Sequence, residues 1–192
     1  MNYNNYSGGA KGSDIAWEIV GKKYGVKTTS FSFKEHNSLS SNRMILSDEE
    51  LLEGWERVLV SAKKMNRYIE NTSPYVRKLL SRNWFQVKNS DAIFAIGTIV
   101  YPNKKGSKQT NKTNIPVVDG GTGYAVHMAM EVGKLIFVFE QNLNKWFKWE
   151  NDNFIEIEEP ILTKNFAGIG TRELTDNGIN AIKSIYEKTF KE

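Results

Sequence analysis

The chain contains no cysteine. That excludes disulfides, thiolate metal sites and a cysteine nucleophile. Histidine is nearly absent. Only His36 and His127 occur, too few for a histidine-rich metal site, and no bound metal is expected. No apolar run approaches the ~20 residues that cross a bilayer, so no membrane partner is expected. Residues 1–5 lack the basic and apolar regions of a secretory signal, which points to a cytoplasmic location. There is no internal repeat and no break in composition. The 192 residues suit one domain, 1–192, with a real hydrophobic core.

What is present is a modest positive charge, +4 from 26 Lys and Arg against 22 Asp and Glu. This favours an anionic ligand or nucleic acid without choosing between them.

Apolar periodicity divides the chain into alternating strands and helices. Residues 3–6 suit a short strand, and 13–24 a helix ending at Gly25. Residues 26–33 alternate as a strand. Ser47 and Glu50 have capping-box spacing, and Leu51, Trp55, Val58, Ala62, Met65 and Ile69 follow at helical intervals. A second helix is expected over 75–87. The run Ala92-Ile93-Phe94-Ala95-Ile96 suits a strand buried on both faces within 91–100.

Residues 101–114 carry Lys104, Lys105, Lys108 and Lys112 and suggest a flexible loop, either merely solvated or folding as a lid over phosphates. A helix over 124–132 and a strand over 134–139 come next. A hairpin is expected over 145–158, turning at Asn151-Asp152-Asn153. Trp146 and Trp149 are assigned to one face of it, to pack on the sheet, stack on a base or meet a second subunit. A last strand covers 166–169. Thr175 caps a final helix that turns Ile179, Ile182, Ile185 and Tyr186 inward. The fold class expected is therefore α/β, a doubly wound and mostly parallel Rossmann-like sheet with a hairpin towards the carboxyl end.

Ligands of such sheets sit beyond the carboxyl ends of the strands. Three glycine-rich segments fall there: Ser7-Gly8-Gly9-Ala10-Lys11-Gly12-Ser13-Asp14, Asp119-Gly120-Gly121-Thr122-Gly123, and Gly168-Ile169-Gly170-Thr171-Arg172. Glycine allows a phosphate to approach backbone amides, and a helix opening behind the turn adds free N–H groups and a positive dipole end. A helix start that simply needs a tight turn is the plainer reading of any one of them.

These segments resemble the SLOG superfamily, which includes the Lonely Guy phosphoribohydrolases, the DNA-processing protein A family and nucleotide sensors of bacterial defence. The first matches the pattern S-G-G-A-x-G-x-D and the second G-G-x-G. The third, with Thr175 and Gly178, matches G-[ST]-R-x-x-T-x-x-G. In many relatives the G-[ST]-R motif opens the domain. Here it follows the others, so a circular permutation is inferred, with the last helix ending near residue 1.

The resemblance implies a nucleotide-like small-molecule ligand and no separate cofactor. It also implies a homo-oligomer, in bacterial defence or phage counter-defence. The amides of Gly8, Gly9 and Ala10 are candidates to hold one phosphate, with Ser7 and Gly12 in the same turn. Those of Gly121, Thr122 and Gly123, beside Gly120, are candidates for a second phosphate or a ribose. Arg172, flanked by Gly170 and Thr171, offers a bidentate fork, or else pairs with Glu173 or Asp176. Asp14 suits ribose hydroxyls or compensation of the helix dipole. Arg82 and Asn83 reach the pocket from a helix end or lie on a solvated face. Gly97, ending the central strand, completes the candidate set.

Lonely Guy enzymes carry P-G-G-x-G-T-x-x-E. Here Tyr124 stands for the threonine and His127 for the glutamate, with Glu131 one helical turn later. His127 and Glu131 are therefore the candidate catalytic residues of a nucleotide N-glycosidase. The leading expectation is instead a non-catalytic binder, sensing or sequestering a cyclic or NAD-derived nucleotide. Single-stranded DNA binding ranks third, for want of a dense basic stripe with interleaved aromatics.

Overall fold

A computed structural model describes residues 2–191. The elements run β1 (Asn4–Ser7), α1 (Ser13–Lys23), β2 (Lys27–Ser32), β3 (Arg43–Ile45), α2 (Asp48–Lys64), α3 (Pro74–Ser81), α4 (Asn83–Asn89) and β4 (Ala92–Gly97). They continue with β5 (Ile99–Val100), β6 (Val117–Val118), α5 (Thr122–Glu131), β7 (Leu135–Glu140), β8 (Lys145–Glu150), β9 (Asn153–Ile157), β10 (Asn165–Gly170) and α6 (Asp176–Lys191).

The main sheet has eight strands in the order β3-β2-β1-β10-β4-β7-β8-β9. Every pairing from β3 to β7 is parallel, and β8 and β9 add an antiparallel edge. The α/β, mostly parallel architecture expected from the alternating pattern is the one observed. β10 inserts between β1 and β4, so the last strand of the chain joins the first. The ends follow: the rings of Tyr3 and Phe190 are 4.8 Å apart.

Two apolar layers cover the sheet, and β4 shows why. All six of its residues are buried. Ile93 and Ala95 face the layer formed with α2, α4 and α5, whereas Ala92, Phe94 and Ile96 face the layer of α1 and α6. Two-sided burial leaves no solvent face to alternate with, hence the unbroken apolar run. Each fully buried large side chain contributes about 1.5–3 kcal/mol. Trp17, Phe166, Ile182, Ile185 and Tyr186 supply the α1–α6 layer, and the Tyr186 hydroxyl donates to the Trp17 carbonyl at 3.0 Å.

Local signals place most element ends. Ser47 Oγ accepts from the Glu50 amide and Glu50 returns the bond to the Ser47 amide at 2.7 Å, completing the capping box. Thr175 Oγ1 accepts from the Gly178 amide at the start of α6. Asn151 and Asp152 both have positive φ, 50° and 57°, as a type I′ hairpin turn requires.

Four details depart from the periodicity. The helix expected over 75–87 is two helices that meet at Arg82. α2 stops at Lys64, so Ile69 lies beyond it. The strand expected over 91–100 breaks at Thr98, and β5 then pairs with β6 in a separate ribbon. Trp146 and Trp149 lie on opposite faces: Trp146 packs edge-on to Phe139 in the α1–α6 layer, and Trp149 joins the other layer against Phe154. Residues three apart on a strand must point to opposite sides.

The Lys-rich stretch 101–114 carries bonds of its own. Lys105 bridges Thr110, and the buried Asn111 donates to the carbonyls of Val100 and Ile115 at 2.8 and 2.9 Å. Among the described residues, no helix is long and apolar enough to cross a membrane, and no group of His, Asp and Glu could hold a metal ion.

Candidate functional site

β1, β2, β4, β7 and β10 are parallel, so their carboxyl ends share one edge of the sheet. The first and third glycine turns meet on that edge although 158 residues separate their contact atoms. The Ser13 amide and hydroxyl both donate to the Thr171 carbonyl, at 3.0 and 2.8 Å. Ser7 Oγ donates to the Gly168 carbonyl at 3.0 Å. Ser7 is fully buried, so it ties the two strands together and does not face a ligand. Gly97 and Gly170 are likewise strand ends beneath the edge. Gly97 accepts from the Gln141 amide, and the carbonyl of Ile96 accepts from the Thr171 amide. Gly12, with φ 97°, caps α1.

The second turn joins through the corner between α3 and α4. Arg82 is buried against the first turn, and its neighbour Asn83 donates to the Gly121 carbonyl at 3.3 Å. Arg67 braces the same turn from below, donating to the carbonyls of Gly120 at 2.8 Å and Val118 at 2.7 Å. Asp119 accepts from the Gly120 amide at 2.8 Å. Gly121 supplies no side-chain cap to α5, so the amides of Thr122 and Gly123 have no intrahelical acceptor.

Arg82 is the central group. A Cβ on Gly8 would overlap its guanidinium, so the glycine here makes room for a side chain of the protein itself. Asp14 lies 3.7 Å from Arg82 Nη2. Gln86, with its amide oxygen turned to the two donors, accepts from Arg82 Nη1 at 2.8 Å and from the Gly8 amide at 3.0 Å. Asp14 Oδ2 accepts from the Ala10 amide at 3.4 Å. Two amides that the sequence assigns to a phosphate are thus already bonded to Gln86 and Asp14.

Burial pushes the Asp14 carboxyl above the ordinary carboxylate range, against the pull of Arg82 and of the Ala10, Gly170 and Gly8 amides. Burial also lowers Arg82, which Asp14 opposes and the nearby Arg172 reinforces. Arg82 Nε is buried with no hydrogen-bond partner. Arg172 is exposed and, among the described residues, has no ion-pair partner; neither Glu173 nor Asp176 pairs with it. Arg172 therefore adds an unpaired cation beside the buried Arg82–Asp14 pair, at an edge that also carries a helix start without a side-chain cap. Such an arrangement favours an anion.

His127 and Glu131 sit apart from this edge. At about 1.5 Å per residue, Glu131 stands some 13 Å along α5 from Thr122. Its Oε1 lies 3.0 Å from His127 Nδ1 and 3.7 Å from Lys64 of α2. His127 and Glu131 are not aligned for a hydrogen bond. Burial lowers His127, with Glu131 opposing and Lys64 adding to the effect. The pair belongs to the packing of α5 on α2.

Sequence reasoning passed over Gln86 and the segment after β2. The Leu39 amide and the Ser38 hydroxyl donate to the Gly9 carbonyl at 2.9 and 3.2 Å, closing residues 36–42 over the first turn. No spacing rule marks such a closure, because it depends on where β2 ends relative to β1. Two open clefts of about 410 and 360 Å³ lie elsewhere, one beside Arg67 and Lys112 and one between β8 and α6. No protein-family model, curated protein or solved structure matches the chain.

Proposed function

We propose that this protein binds a phosphate-bearing, nucleotide-derived small molecule at the sheet edge and does not hydrolyse it. The observation that carries the reading is the pair of cations where the first and third glycine turns meet: Arg82, buried beside Asp14 with its Nε unpartnered, and Arg172, exposed and without an ion-pair partner. A phosphate approaching Arg172 supplies negative charge to that pair of cations, and the Thr122 amide at the start of α5 is the candidate for a second phosphate or a ribose. The first turn contributes through Arg82 and not through its Gly8 and Ala10 amides, which are already bonded. Hydrolysis by His127 or Glu131 has little geometric support, because both lie on the α2 side of α5. Self-association belongs to the same proposal, and Met44 and Ile45, about half exposed on the edge strand β3, are apolar groups it would cover.

The test is equilibrium dialysis against AMP, 3′,5′-cyclic AMP, NAD and ADP-ribose, with the mass of the bound compound checked afterwards. At least one compound should bind and return intact. Arg172→Ala should weaken it by ~10-fold or more, as loss of a charge-assisted fork does, and leave unfolding unchanged. No binding across the panel, release of a free base, or an Arg172→Ala protein that binds as well as the parent would each reject the proposal.

A further inference from the structure

His36 is the second buried histidine, and the fold gives it a defined environment at the same edge. It follows β2, whose last residue, Ser32, is fully buried. Ser32 Oγ lies 2.9 Å from His36 Nδ1. Arg43, opening β3, donates from Nε to the same Ser32 oxygen at 3.3 Å and from Nη2 to the Phe33 carbonyl at 3.3 Å. The Phe33 ring stacks on the imidazole, with centroids 5.1 Å apart.

Arginine has no acceptor, so the Arg43 bond ends on a Ser32 lone pair and leaves the Ser32 hydrogen free. Pointed at His36 Nδ1, that hydrogen is accepted there in the tautomer that carries the ring proton on Nε2. Burial and three guanidinium groups, Arg82, Arg43 and Arg172, hold the imidazole neutral, with its pKa lowered to about 4. Among the described residues Nε2 has no hydrogen-bond partner, and it is not one of the sealed orphan atoms. Ser32 itself is closed off from any substrate, so the pair is not a nucleophile and its base.

We propose that Arg43 and Ser32 lock His36 as a neutral Nε2–H donor that contacts an oxygen of the ligand bound between Arg82 and Arg172, making His36 a specificity-determining positioning residue. The inference rests on the binding function proposed above. A third cation would tighten any phosphate indiscriminately. A neutral donor of fixed direction instead selects an acceptor oxygen at one place, a phosphate or ribose oxygen of a nucleotide.

The experiment separates the two ideas. Nitrogen-15 spectra of the ligand-free protein should show His36 protonated on Nε2, and Ser32→Ala should mix the tautomers. Binding is then measured with whichever of AMP, 3′,5′-cyclic AMP, NAD and ADP-ribose the parent protein binds. A glutamine amide places its N–H where Nε2 stands, and an asparagine amide places it where Nδ1 stands. His36→Gln should therefore stay within ~3-fold of the parent while His36→Asn loses ~10-fold, the worth of one hydrogen bond. Thermal unfolding of both variants checks that the fold survives. An Nδ1–H tautomer, or His36→Asn and His36→Gln binding alike, overturns this inference and leaves the function standing. A parent protein that binds none of the four overturns both.

Discussion

Gly8 has room for a hydrogen and nothing larger, because the Arg82 guanidinium occupies the space a Cβ would take. Gly8→Ala should expel a buried charged group from its bonds to Gln86 and Asp14. The expected cost is ~2–4 kcal/mol in urea unfolding, the range for overpacking combined with an unpaired buried charge. The other titrating residue of the edge gives a pH signature. His36 has a folded pKa of about 4, against 6.5 for the free group. The unfolded chain then binds more protons than the folded one, so stability rises with pH between those values. The contribution is fully present above pH 6.5 and is lost as pH falls towards 4. Urea midpoints at a series of pH values should fall across that window, and His36→Asn should flatten the fall. The residue types at this edge were legible in the sequence, but their duties were not. Gly8 and Ala10 look like phosphate amides in any local pattern, and only the arrival of Arg82, Gln86 and Asp14 assigns their hydrogen bonds.

Elements show the same division. The Ser47 capping box, the Thr175 cap and the I′ turn at Asn151 and Asp152 are local chemistry and could be placed from spacing alone. That turn has a direct consequence. Asp152 holds φ 57° with a Cβ attached. Asp152→Gly should stabilise the hairpin by ~0.5–1 kcal/mol, read as an increase in melting temperature, since glycine reaches that region without steric cost. The crossing of α2 over α3 was not legible. Gly54 packs so closely on the carbonyl of Ser81 that a Cβ would overlap it. Ser81 immediately precedes Arg82, so this contact sets where the guanidinium enters the edge. Gly54→Ala should cost ~2–3 kcal/mol and weaken nucleotide binding together with stability, because a backbone atom cannot swing aside as a side chain can. Unchanged binding in a destabilised Gly54→Ala protein would detach the crossing from the site.

At the scale of the molecule, β10 and α6 close the fold over its own beginning. Where the ends meet, Phe190 packs edge-on to Tyr3 and stacks on Tyr24, with centroid distances of 4.8 and 5.3 Å. A chain joined there by a short Gly/Ser linker and reopened before residue 163, so that β10 and α6 precede β1, should fold to within ~1 kcal/mol of the parent. Matching near- and far-ultraviolet circular dichroism and a matching urea midpoint would confirm it. A molten or insoluble product would mean that the order of synthesis, and not only the final contacts, is needed to place β10 between β1 and β4.

The alternation of strands and helices, the two-sided burial of β4, the helix caps and the position of three glycine turns after strands are all written into the order of residues. Each of these depends on periods and short spacings within a few residues. Long-range contacts set the rest: that β10 lies beside β1, that Arg82 fills the first turn, that His36 is buried against Ser32 and Phe33 while His127 and Glu131 pack on α2, and that Trp146 and Trp149 serve different layers. Those outcomes rest on close approaches between segments tens of residues or more apart, where a fraction of an ångström at Gly8 or Gly54 settles which side chain enters. No local pattern carries that distance.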